Sequence, residues 1–186
     1  MKKYGDMFYQ HGTKGLTQLP LINSTFRDWV PKKQAVSFNE DALLSIDEIS
    51  KNEDNKLSSC VNGYQSRNNL HKNGDYDDLI DRIKQLLKNT RLLNFTEMKC
   101  VRMWCTICSK DSEVRPHRHD GHISGIYYLQ SPGVAESGNL VFETEQHFNT
   151  KSGDLFLFQS NLGHFTRQNL TERTKVSLNF DLIFKQ

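Results

Sequence analysis

The spacing of apolar positions changes character near residue 95, and that change divides the chain. Before it, apolar residues recur with a helical period. NEDALLSIDEISKN, from Asn39, opens on an N-cap candidate and acids and carries Leu43, Ile46 and Ile49 on one face, which predicts a helix. A second helix is predicted over DYDDLIDRIKQLLKN, capped by Asp75 or Asp77. There Leu79, Ile80, Ile83, Leu86 and Leu87 make one stripe, with Asp77 and Asp78 at the start and Lys88 near the end, as the helix dipole favours. Between them, KNEDNKLSSCVNGYQSRNNLHKNG is polar and Asn-rich and reads as loop.

After residue 95 the period becomes that of strands. EMKCVRMWCTI, HISGIYYLQ, GNLVFET, GDLFLFQS, GHFTRQN and RTKVSLNFDLIF are broken by SPGVAESG, NTKSG and NLTE. Strands this closely spaced, with no helical pattern between them, predict an antiparallel sandwich or barrel. Helices followed by strands make an α+β, mainly β, arrangement in one domain. The expected layout is an N-terminal arm over 1–37, mainly helical support over 38–94 and a β core over 95–186. Within the arm, LPLINSTFRDWVP has no sustained period and reads as an edge strand or an arm.

Composition narrows the classes of function. A chain of 186 residues with 25% charged and 36% hydrophobic residues can build one sizeable core. A net charge of +2 gives no clear signal for nucleic acid or a membrane surface. MKKYGDMFYQHGTKG has no apolar run behind its lysines, so it is not a secretory signal, and no stretch approaches the roughly 20 apolar residues of a membrane span. A cytoplasmic protein is expected. Of Cys60, Cys100, Cys105 and Cys108, the last two form a CxxC, but in a strand-like segment and without the second pair that a zinc knuckle needs. Free, buried thiols are expected.

The candidate chemistry lies in PHRHDGHISGIYYL, residues 116–129. On an extended segment, His117 and His119 fall on the same face, about 6.6 Å apart along the backbone. Two imidazoles so placed can share an ion, and His164, after the strand-like GDLFLFQS, would complete a facial set of three. Open positions opposite such a set suit reactive iron, manganese or zinc rather than a closed structural site. Asp120 and His122 compete with His119 for the second place. A hairpin about Leu170–Thr171, or a slightly wider turn, pairs Gln168 with Arg173 and His164 with Ser177. Arg173 then lies on the metal side, about 13 Å of backbone from the point facing His164. Its guanidinium would bind the far carboxylate of a small dicarboxylate chelating the metal.

Taken in order, HxH, SGIYYL, GNLVF, GDLFLFQSNLGH and R-x-x-x-S-x-N-F resemble the 2-oxoglutarate- and Fe(II)-dependent oxygenases of bacteria and their viruses. NGYQSRNNL resembles that family's segment before its helix, so the match runs from about Asn62 to Phe180. The resemblance implies a double-stranded β-helix (jelly roll). Its iron would be held by His117, His119 and His164, with 2-oxoglutarate and O2 as co-substrates. It implies hydroxylation of an unidentified prime substrate with release of succinate and CO2. Arg173 matches the residue that binds the 2-oxoglutarate C5 carboxylate; Ser177 and Asn179 follow on its strand face, and Tyr128 is a second candidate contact.

Two departures stand out. His119 occupies a place where the family usually has a carboxylate, which Asp120 could supply instead. Lys175 stands two residues after the Arg, where relatives often have a small hydroxyl, and would add charge to the carboxylate pocket. Two other readings remain. One is a cupin-like metal protein, although the Glu that cupins carry after HxH is missing from Ser124–Tyr127. The other is a non-catalytic jelly-roll module. A homodimer is left open.

Overall fold

The computed structural model describes residues 22–25, 32–56, 59–90, 93–134 and 137–185, so most of the expected N-terminal arm lies outside the described residues. The first strand, β1 (Ile22–Thr25), is an edge strand paired with β9 (Asp154–Gln159). Helix α1 (Lys32–Asn52) follows, then the short β2 (Cys60–Val61) and β3 (Tyr64–Gln65), and helix α2 (Asp77–Thr90). The remaining strands are β4 (Glu97–Cys108), β5 (Glu113–His117), β6 (Ile123–Gln130), β7 (Leu140–Phe142), β8 (His147–Phe148), β10 (His164–Thr166) and β11 (Lys175–Lys185).

They form two antiparallel sheets. The larger has the order β1-β9-β6-β11-β4-β3 and the smaller β2-β5-β10-β7-β8. From β4 onward the chain passes back and forth between the sheets, so sequential strands rarely pair. That winding makes a double-stranded β-helix, with two helices packed on the outside of the larger sheet. No helix among the described residues is long and apolar enough to cross a membrane.

The strands of the larger sheet read as almost unbroken apolar runs because both of their faces are covered. Side chains alternate along a strand, so each strand serves two cores. Tyr127 and Leu129 of β6, Leu155 and Leu157 of β9, and Leu178 and Phe180 of β11 pack under α1 and α2. They meet Ala42 and Ile46 from one helix and Leu79, Ile83, Leu86 and Leu87 from the other. The intervening Ile126, Tyr128, Phe156 and Phe158 face the smaller sheet and pack with Leu140 and Phe142. On β11 the residues between its apolar ones are Lys175, Ser177, Asn179 and Asp181, so this strand turns a polar stripe toward the gap between the sheets.

Several sequence expectations change, among them the loop read between the helices, which holds β2, β3 and a short 3-10 helix over Leu70–Lys72. Helix α1 begins at Lys32 rather than at Asn39, directly after Pro31, a residue suited to the edge of a helix and not to its interior. Asn39 is therefore inside the helix, and its side chain ties the helix to the sheet. It accepts a hydrogen bond from the Tyr127 hydroxyl (2.6 Å) and donates to the Leu129 carbonyl (3.3 Å).

The hairpin about Leu170–Thr171 does not form. β10 pairs with β5 and β7, whereas β11 pairs with β4 and β6, so residues 167–174 cross from one sheet to the other. Asn169, fully buried, fixes that crossing. Its amide donates to the carbonyls of Cys108 (3.1 Å) and Arg173 (2.8 Å), while its oxygen accepts from the Thr171 amide (3.1 Å).

Gly125 shows how tightly the larger sheet meets its cover. A Cβ there would lie 2.1 Å from Cζ of the buried Phe180 and 2.9 Å from Leu157 Cδ2. Gly125→Ala should destabilise the fold by about 1–3 kcal/mol, as overpacking of a filled core does. A lower urea midpoint with an unchanged slope would register it.

Candidate metal centre

The smaller sheet brings His117 and His164 together. His117 closes β5, His164 opens β10, and the two are direct partners across the ladder. His119 lies just past β5, in the link to β6, where its backbone amide donates to the Ser160 carbonyl (2.8 Å). The ring centroids are 4.4 Å apart for His117–His164, 4.9 Å for His117–His119 and 5.1 Å for His119–His164. One ring nitrogen from each lies within 4.8 Å of the others, the only such group of three among the described residues, and it could hold a metal ion.

The second nitrogen of each ring is engaged elsewhere. Nδ1 of His117 meets the Arg115 carbonyl (2.8 Å), Nδ1 of His164 meets the Leu162 carbonyl (3.0 Å), and Nδ1 of His119 meets Asp181 Oδ1 (2.7 Å). Carbonyl oxygens only accept, so Nδ1 must carry the proton on His117 and His164, which leaves Nε2 as a free lone pair. Burial, helped by neighbouring His117, pushes the His164 pKa down to about 3, and burial also lowers that of His117. Both rings are therefore neutral at neutral pH, the form that ligates. Phe158 packs edge-on against His164 at 4.6 Å between centroids, and Trp104 lies 5.2 Å from His119.

The other candidate residues separate into two groups. Tyr128, Lys175, Ser177 and Asn179 line the same cavity as the three histidines, with Thr106 and Cys108. Arg173 does not. It is exposed in the crossing link, its side chain outside that cavity, so its expected place on the metal side of a hairpin is corrected. Asp120 is exposed and lies in the adjoining groove with Arg102 and Asn68. His122 accepts a hydrogen bond from the Phe184 amide (3.0 Å) at Nδ1 and stands beside the Phe184 ring. Neither joins the three-histidine group.

Lys175 is the unusual member. It is 3% exposed, its Nζ donates to the Gly138 carbonyl at 2.6 Å, and it lies 4.8 Å from the centre of the Tyr128 ring. No carboxylate pairs with it among the described residues, and burial lowers its pKa to about 8. Counting along the stripe, Lys175 is six residues from Asp181, about 20 Å of strand, so it lies toward the end of the cavity away from His119.

Asp181 was not among the sequence candidates. The alternation that groups Ser177 with Asn179 runs one step further to this lone acid in SLNFDLIF, and that was the available signal. Burial opposes its charge, yet hydrogen bonds from His119 and Ser124 and the Arg102 guanidinium hold its carboxyl below the ordinary carboxylate range. The CxxC is not a chelating pair. Cys105 packs into the helix-side core while Cys108 lines the cavity, and all four thiols are free.

No protein-family profile matches the chain, and no curated protein does. Solved structures do share its fold. The viral collagen prolyl hydroxylase vCPH of Paramecium bursaria Chlorella virus-1, solved as a 2OG complex, has a TM-score of 0.64 at 12% identity, covering 87% of this chain and 94% of that one. A prolyl-4-hydroxylase of Pseudomonas putida has a TM-score of 0.66 at 13% identity, over 89% and 92% of the two chains. HygX of Streptomyces hygroscopicus, with nickel, 2-oxoglutarate and hygromycin B bound, has a TM-score of 0.66 at 13% identity, over 87% and 82%. The chain thus has the double-stranded β-helix fold of these proteins.

His164→Ala should abolish stoichiometric binding of Fe(II) or Co(II) in anaerobic calorimetry, because it removes the most buried of the three donors. His122→Ala and Asp120→Ala should leave metal binding unchanged.

Proposed function

We propose that the protein is an Fe(II)- and 2-oxoglutarate-dependent oxygenase that hydroxylates a C–H bond of its prime substrate and releases succinate and CO2. One observation carries this reading. A single cavity holds three histidines with convergent donor atoms and a buried ammonium without a carboxylate partner among the described residues. That combination suits a dicarboxylate that chelates a metal at one end and is held electrostatically at the other. Similarity of fold to a 2OG complex and to a nickel- and 2-oxoglutarate-bound protein supports it.

His117, His119 and His164 would hold the iron, which supplies the O2-activating redox chemistry that side chains lack. Three protein donors leave room for the co-substrate's keto acid end. Lys175, rather than Arg173, takes the C5 carboxylate. Moving the family match by two residues puts Lys175 in the place of the Arg and Ser177 in the place of the small hydroxyl that follows it. The Nζ keeps two protons beyond its bond to Gly138, enough to serve both oxygens of a carboxylate. Tyr128, Ser177 and Asn179 shape the cavity between, and Phe158 and Trp104 keep water from the histidines.

Anaerobic addition of Fe(II) and 2-oxoglutarate should produce the weak visible charge-transfer band of the chelate, and admission of O2 should yield succinate. Absence of both from iron-loaded protein would overturn the reading. Lys175→Ala should weaken 2-oxoglutarate binding about 10- to 150-fold, the worth of a charged hydrogen bond, while sparing iron. Arg173→Ala should spare both.

The pH dependence of Lys175 has opposite signs for binding and for folding. Its folded pKa of about 8 lies below the ordinary 10.5, so the unfolded chain binds more protons between these values. Stability of the ligand-free protein should therefore gain from this group as pH rises through that window. Affinity for 2-oxoglutarate should fall over the same rise, as the ammonium is lost. Thermal melts and calorimetric titrations between pH 7 and 10 measure the two trends.

A further inference from the structure

The three histidines are not held alike. His117 and His164 each fix Nδ1 on the carbonyl two residues before them, Arg115 and Leu162, so a strand end orients its own ring. His119 lies outside the strands, and the acceptor for its Nδ1 comes from the other sheet: Asp181 Oδ1, at 2.7 Å.

Asp181 is built for that role. It is fully buried at the middle of the larger sheet, where its ladder partners are Arg102 on β4 and Ser124 on β6. Oδ1 also accepts from the Ser124 hydroxyl (2.6 Å), and Oδ2 accepts from Arg102 Nε (2.8 Å). The carboxylate is thus fixed from both neighbouring strands before it meets the histidine. The link carrying His119 is pressed directly onto it. A Cβ on Gly121 would come within 3.2 Å of Asp181 Cβ and 2.9 Å of Ser160 Oγ, so only glycine lets the link approach so closely. Trp104 packs beside the same ring, 5.2 Å between centroids.

We infer that Asp181 is the positioning residue for His119, fixing its Nδ1–H tautomer so that Nε2 is the atom presented to the metal. This rests on the metal centre proposed above. A carboxylate can only accept, so it selects one tautomer and one ring orientation, whereas an amide could satisfy either. The arrangement keeps a carboxylate in line with the second ligand position, one imidazole further from the ion than in relatives where the carboxylate itself stands there. Because Arg102 pairs with the same carboxylate, the relay adds orientation without adding net charge to the cavity.

Asp181→Asn preserves shape and removes the selection. Anaerobic titration with Co(II), followed by calorimetry and by the d–d spectrum, should give 10- to 100-fold weaker binding and an altered band pattern, the usual scale for a lost outer-shell partner. In a His119→Ala background the same substitution should change nothing further, since the ring it orients is gone. Equal affinity of the Asn variant and wild type would overturn the inference. So would loss of binding on Asp181→Asn in a His119→Ala protein that still takes up Co(II), which would make Asp181 itself a ligand. Imidazole 15N shifts of the metal-free wild type give a readout independent of any variant's folding. They should identify His119 as the Nδ1–H tautomer, and an Nε2–H signature would overturn the inference. If wild-type protein bound no metal at all, the proposed function would fail, whatever the tautomer.

Discussion

The period-two alternation of β11 is the constraint on which the rest of the structure depends. One face, with Val176, Leu178, Phe180 and Leu182, is buried under the helices. The other, with Lys175, Ser177, Asn179 and Asp181, faces the gap between the sheets. A shift of one residue in its pairing with β4 and β6 would exchange the faces, burying four polar groups under α1 and α2 and turning aliphatic side chains into the site. The apolar face therefore fixes the register, and the register aims the polar one. Folding and ligand placement are two outcomes of one pattern.

Much of this was legible because it is local. Strand periodicity marks six of the β segments, and His117 and His164 are recognisable as strand-end imidazoles, with His119 two residues past the first. Tyr128, Ser177 and Asn179 follow from alternation within single strands. The failures come from what connects segments. GHFTRQN and RTKVSLNFDLIF are separated by a turn-like NLTE, and nearest-neighbour pairing is the economical guess for two such strands. What defeats it is Asn169, whose side chain bonds to the carbonyls of Cys108 and Arg173 and so draws the link across the gap between the sheets. A buried asparagine in a loop is indistinguishable in sequence from an exposed one. The hairpin placement of Arg173 followed from that single error, while Lys175, named beside it, lines the cavity with the three histidines.

The stripe also places burdens on the fold. A buried ammonium without a carboxylate partner among the described residues at one end and a buried carboxylate at the other are both costly to desolvate. The two ends resolve this differently. Asp181 is satisfied within the protein by Arg102, Ser124 and His119, and so it stiffens the site. Lys175 has one carbonyl, one aromatic face and the Cys108 thiol for neighbours, which on the proposed function leaves it open to an anionic ligand. Local rules are broken where a ligand is expected to restore them, which is where functional sites tend to lie.

The two sheets divide the labour unevenly. Two of the three imidazoles ride on the smaller sheet, while the ammonium projects from the larger. The distance between these two groups is set by the run of β11 between Asp181 and Lys175 and, across the gap, by the aromatic layer of Phe142, Phe156 and Phe158 packed between the sheets. On the proposed function, that layer acts as a gauge block: with the run of β11, it limits the length of molecule that would bridge metal and ammonium. On that reading, selectivity among dicarboxylates of different chain length would be written partly in apolar side chains that belong to neither anchoring group.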